Sequence, residues 1–144
     1  ILTLQEEVAE RLTARPPRMN KLAAAVQFWS QPRILGFLPR NRFRPPPQVD
    51  SAIVSLTPTK FKRGLVRDKD YYQAIKILFQ QPRQTILNNL FSAFRPPNSK
   101  ITKETAAKNL QKIGVVAQER PGNLDVQDII RVTKFLLTAK SRKP

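Results

Sequence analysis

Cysteine and histidine are both missing from this sequence, and each absence removes a class of chemistry. Without cysteine there is no disulfide and no thiolate metal site; without histidine the commonest metal ligand and the usual neutral-pH base are gone. A metalloenzyme or a serine–histidine hydrolase is a poor fit. Glycine is scarce: the four, at positions 36, 64, 114 and 122, are scattered and form no Gly-x-Gly loop able to bring backbone amides against a ligand. No apolar run approaches the roughly 18 to 20 residues of a membrane span, and no signal-peptide pattern opens the chain. Acid is short as well. Ten Asp and Glu face 26 Lys and Arg, giving +16 over 144 residues and a pI near 11.2. Such an excess attracts polyanions and makes binding steeply salt-dependent, because each neutralised phosphate releases a counterion. Nucleic acid is the natural partner. A solvated basic surface or a membrane-surface role is the alternative, and no single helix is both strongly basic and strongly apolar.

Proline, by contrast, is plentiful, and its densest stretch organises the chain. Phe43 to Leu56 reads Phe-Arg-Pro-Pro-Pro-Gln-Val-Asp-Ser-Ala-Ile-Val-Ser-Leu. Three prolines in a row fix φ, donate no hydrogen bond and push their predecessors to extended conformations, so the stretch is a stiff presenter of Phe43. Behind it Val49, Ala52, Val54 and Leu56 predict a strand buried on both faces.

Elsewhere the pattern predicts strands at Ile1–Leu4 and Arg33–Phe37, a short helix from Glu6 to Leu12, and a second from Lys21 to Ser30, capped by Asn20 and ended by Pro32. Leu22, Ala25, Val26 and Trp29 form its apolar stripe, with Trp29 in the packing. Ile1 opens in mid-strand with no polar lead-in, and the expectation is a chain cut from something longer. Thr59 to Lys69 reads as a basic hinge, and everything after it is helical. Tyr71, Ile75, Leu78 and Phe79 make one stripe. Pro82 opens a helix with Ile86, Leu87, Leu90, Phe91 and Phe94 inward, and Arg95–Asn98 is a loop. Thr102 caps the next helix and Gly114 stops it; Asp125 and Asp128 open the last. The expected domains are 1–59, a hinge at 60–69, a helical domain at 70–140 and a basic tail at 141–144.

The run at Phe43 resembles the Phe-x-Pro-x-Pro-x-Val-Asp-Ser-Ala-Val-Val segment of the rRNA adenine dimethyltransferase family. Gln5-Glu6-Glu7-Val8-Ala9-Glu10-Arg11-Leu12 and Pro82-Arg83-Gln84-Thr85-Ile86-Leu87-Asn88-Asn89-Leu90 are similar to two further segments of that family. Where relatives show Tyr-Gly-x-Leu-Ser-Val, this chain has Met19-Asn20-Lys21-Leu22-Ala23-Ala24. The resemblance implies an α/β class, with part of a Rossmann-like methyltransferase sheet (three strands) followed by a small all-α C-terminal domain. It also implies S-adenosylmethionine as cofactor, small-subunit rRNA and the small ribosomal subunit as partner, and a role in ribosome biogenesis in the cytoplasm or an organelle. Phe43 would stack on a flipped adenine. Local physics alone allows it equally to plug the top edge of the sheet.

Arg40, Arg42, Arg44, Lys60, Lys62, Arg63 and Arg83 are the candidate RNA contacts. The family's Gly-rich loop and Asn-Leu-Pro-Tyr motif are not found, so this chain is expected to supply no cofactor-binding residues and to be inactive alone. Three readings stand: the C-terminal part of such a methyltransferase, a non-catalytic ribosome-assembly factor of the same descent, and a generic helical DNA-binding domain.

Overall fold

The computed structural model describes residues 1–59, 65–93 and 102–141. Three strands and six helices follow one another as β1 (Leu2–Gln5), α1 (Glu6–Thr13), α2 (Lys21–Gln27), β2 (Ser30–Leu38), β3 (Ser51–Pro58), α3 (Asp68–Leu78), α4 (Ile86–Ala93), α5 (Lys103–Lys112) and α6 (Val126–Ser141). The sheet has the order β1-β3-β2, and both pairings are antiparallel. Ser51 is opposite both Gln5 and Leu38, so all three strands terminate together at one end of the sheet.

β3 lies in the centre, as its β-rich run predicts, but it is covered on one face only. Ala52 and Val54 are buried, packed with Ala9 and Leu12 of α1, whereas Ile53 and Ser55 on the opposite face are half-exposed. Val49 falls outside the strand and is 47% exposed, which corrects the expectation of burial on both faces. α1 and α2 shield one side, and among the described residues no element covers the other.

α2 is shorter than its stripe predicts. Asn20 caps it as expected, its Oδ1 accepting from Leu22 N and Ala23 N at 3.0 Å each. It ends at Gln27, and Ser30 already belongs to β2. Pro32 does not end a helix: it is buried within β2 opposite Leu56, on an edge strand where a missing N–H costs no ladder bond. The helix also buries two faces. Leu22 and Val26 pack on the sheet cluster, while Ala23, Ala24 and Phe28 join the helical core and Trp29 stays half-buried. Phe28 stacks on Tyr71 with ring centroids 3.9 Å apart, and the Tyr71 hydroxyl donates to Ala24 O at 3.1 Å. Burial raises the Tyr71 phenol well above its ordinary pKa.

The helical core gathers Tyr71, Ile75, Leu78, Ile86, Leu90, Leu110, Ile129 and Val132 around that contact. Thr102 caps α5, its hydroxyl accepting from Thr105 N at 3.2 Å, and Gly114 ends it at φ 76°, where a side chain would be strained. Asp125 and Asp128 bond reciprocally at 2.8 and 2.9 Å across the start of α6. Pro82 lies in a turn, and α4 starts four residues later, because Asn89 ties that turn from within the helix. α3 begins at Asp68, inside the stretch expected as hinge, with Arg67 paired to Asp70 at 2.7 Å. Lys60–Gly64, Phe94 and the Arg95–Asn98 loop lie outside the described residues, as do residues 142–144.

Candidate nucleic-acid interface

β2 and β3 are joined by residues 39–50, which sit at the end of the sheet where the strands stop together. That is also the carboxyl end of β1, the side on which open α/β sheets place ligands. The loop opens with a single 3-10 turn, Arg40–Arg42, in which Arg42 N donates to Pro39 O (3.0 Å) and Phe43 N to Arg40 O (3.2 Å). After it the backbone bends at 43–45 and again at 48–49, so the proline run is not the extended rod its sequence predicts, although the prolines still fix φ. Phe43 thus sits between a closed turn and a bend of constrained φ.

The ring is half-buried and lines an open hollow of about 450 Å³ with Arg40, Asn41, Arg44, Pro46 and Pro47. No carboxylate lines this hollow. An aromatic side chain and two arginines lining one open hollow suit a flat, electron-rich base attached to phosphate. Arg42 is exposed on the same turn. Of the expected site residues, the structure thus brings together Arg40, Phe43 and Arg44, with Arg42 adjoining. Lys60, Lys62 and Arg63 lie outside the described residues.

Arg83 is elsewhere in the fold, exposed in the turn between α3 and α4. That turn is fixed by buried Asn89, whose Oδ1 accepts from Gln81 N at 3.0 Å and whose Nδ2 donates to Gln81 O and Thr85 O at 3.0 and 3.1 Å.

One residue of the loop was passed over by sequence reasoning. Asp50 Oδ1 accepts from Arg40 N at 2.8 Å, and its carbonyl accepts from Glu6 N at 3.0 Å, so it ties the turn to the start of α1 and to β3. A signal existed, because Asp50 is the sole acid between Glu10 and Asp68.

Among the described residues no glycine turn opens a helix: β1 passes directly into α1 at Glu6, Gly36 lies in edge strand β2, Gly114 ends a helix and Gly122 is packed against Pro17 O, while Gly64 lies outside the described residues. Among the described residues no cluster of three metal-ligating side chains occurs.

A family model described as "Ribosomal RNA adenine dimethylase" matches residues 1–136. The chain is 31% identical over 140 residues to a ribosomal RNA small subunit methyltransferase A of Geobacillus thermodenitrificans, covering 95% of this chain and 47% of that protein. It is 33% identical over 136 residues to its namesake in Listeria innocua, covering 92% and 45%. The chain thus spans about half the length of the curated relatives it matches. A crystal structure of a dimethyladenosine transferase from Plasmodium falciparum superposes with a TM-score of 0.72 at 22% identity, over 97% of this chain and 57% of that one.

Proposed function

Because the chain belongs to the ribosomal RNA adenine dimethylase family, we propose that it is the target-base and RNA-docking part of an S-adenosylmethionine-dependent enzyme that dimethylates adenines of small-subunit rRNA. The observation carrying this reading is the arginine-rimmed hollow under Phe43 at the carboxyl end of β1. On this reading the three strands are the second half of a larger, seven-stranded methyltransferase sheet. The face of β3 and the edge of β1 that no described residue covers or pairs with are the surfaces the first half would cover. Residues 1–59 are then part of the catalytic domain, 60–69 a hinge and 70–140 an RNA-docking domain, acting in the cytoplasm or an organelle.

Modifying an exocyclic adenine amine requires the base to leave its stack and be held in one plane. The Phe43 ring supplies one face of that plane, and the backbone on either side keeps the ring from swinging. Arg40, Arg42 and Arg44 hold the flanking phosphates, and Arg83 makes a separate contact from the helical side. The cofactor supplies the methyl group, and the residues that bind it are to be sought outside this chain.

The test is transfer of labelled methyl from S-adenosylmethionine to unmethylated small ribosomal subunits, by this chain and by the native gene product that contains it. Transfer by the longer product alone is the expected result. In that product Phe43→Ala should slow transfer roughly ten- to a hundred-fold, the worth of one aromatic stack, while RNA affinity stays within a few-fold. A variant with normal rate at saturating subunits but lost RNA binding contradicts the role given to Phe43. That none of the described glycines forms a cradle favours a second reading, a non-catalytic assembly factor. Salt-dependent binding to the subunit with no transfer by either protein would select it.

A further inference from the structure

A carboxylate beside Arg40, Arg42 and Arg44 repels the phosphate those residues attract, so general surface polarity gives no reason for Asp50 to be there. Its geometry does. The side chain accepts from Arg40 N at 2.8 Å, and Arg40 O accepts in turn from Phe43 N at 3.2 Å. Two hydrogen bonds therefore link the carboxylate to the backbone of Phe43. The Asp50 carbonyl is fixed by Glu6 N at 3.0 Å, and Arg40 Nη1 donates to Gln48 O at 3.3 Å, closing the loop on itself. Among the described residues Asp50 takes part in no ion pair. It bonds a neutral amide and leaves the neighbouring guanidinium groups to an external anion.

We propose that Asp50 is a positioning residue: its carboxylate clamps the Arg40–Arg42 turn to the shared end of β1 and β3, and so sets the plane in which Phe43 meets the base. This rests on the reading of Phe43 as the base-stacking residue. Removing the clamp deletes none of the arginine charges, whose long side chains still reach phosphate from a loosened turn, but it lets the ring tilt, so it acts on the rate more than on RNA capture.

In the native gene product Asp50→Ala should lower kcat about tenfold or more with KM for the small subunit unchanged to about twofold, because a transition-state alignment is lost and ground-state binding is kept. Asp50→Asn keeps an acceptor oxygen and should recover most of that loss. The same bond is broken from its other side by Arg40→Pro. Both Arg40→Ala and Arg40→Pro delete the guanidinium, but only proline also deletes the amide. The site follows extended Pro39 and opens the turn, where proline is accommodated. Arg40→Pro should accordingly be several-fold slower than Arg40→Ala.

Equal rates for the two Arg40 variants, or an Asp50→Asn as slow as Asp50→Ala, would overturn the proposal. Hydrogen exchange gives a readout independent of activity: the Arg40 and Phe43 amides should exchange faster in Asp50→Ala while the helices keep their protection. Unaltered exchange at those amides also overturns it. If the wild-type product transfers no methyl, the functional reading fails, and exchange still decides whether Asp50 holds the turn. If Asp50→Ala does not fold, the Arg40 pair decides.

Discussion

Two of the segments that carry arginine into solvent, the proline loop at 39–50 and the turn at 79–85, are fixed by different means. The turn is tied from inside: buried Asn89 satisfies a donor and two acceptors of its backbone with one amide group. The loop is tied from outside by Asp50, an exposed carboxylate whose bond to Arg40 N competes with water. A buried polar anchor is costly to remove, because the groups it served are left without partners or solvent; an exposed one is cheap. The contrast separates two kinds of fixing. The Asn89 tie is part of what holds the fold together, whereas the Asp50 tie fixes the plane of one ring and contributes little to global stability.

The largest effect should follow from breaking the internal tie. Asn89→Ala leaves Gln81 N–H and Gln81 O without their side-chain partner in a part-buried setting, while Thr85 O keeps the backbone N–H of residue 89, and should destabilise the fold by about 2 kcal/mol. Asn89→Asp still accepts from Gln81 N but buries a carboxylate oxygen against the Gln81 and Thr85 carbonyls, and should cost at least as much. Urea unfolding followed by circular dichroism measures both. A loss under about 0.5 kcal/mol for Asn89→Ala would mean that the turn is not held from within.

The external tie should cost far less. Asp50→Ala should lower stability by no more than about 1 kcal/mol in the same measurement, since water replaces the lost acceptor. A loss as large as that of Asn89→Ala would erase the distinction between the two anchors. The change belongs in Phe43 alignment, not in global stability.

Much of this was readable in advance, for physical reasons that differ by element. Caps were legible because they depend on a few adjacent residues: Asn20, Thr102, Gly114 and the Asp125–Asp128 pair all do what their types suggest. The three strands were legible from composition. α2 was legible in its start and cap but not in its end or its second face: Leu22 and Val26 of the expected stripe face the sheet, while Ala23 and Ala24, outside that stripe, and Phe28, just past the helix, join the helical core. Pro32 misled because a proline that stops a helix also fits an edge strand. Pro82 misled because the helix start is set by a side chain seven residues on, Asn89. At the site, residue types pointed to Phe43 and its arginines, but the role of Asp50 depends on a hydrogen bond across ten positions and needed coordinates.

The smallest effect tests whether the two segments reach RNA at all. Arg83→Gln removes one charge from the fixed turn, and Arg44→Gln removes one from the rim of the Phe43 hollow. If each touches a phosphate of the small subunit, each should weaken binding by a few-fold and make the slope of log affinity against log salt shallower by about 1. The two should then separate on rate. Arg83→Gln, acting through a turn that the structure keeps rigid, should leave kcat at saturating subunits unaltered, while Arg44→Gln, beside the stacking ring, should lower it. Slopes unchanged in both variants would mean that the +16 charge attracts RNA through other residues. A shallower slope for Arg44→Gln alone would place the RNA on the sheet side and remove the turn from the interface.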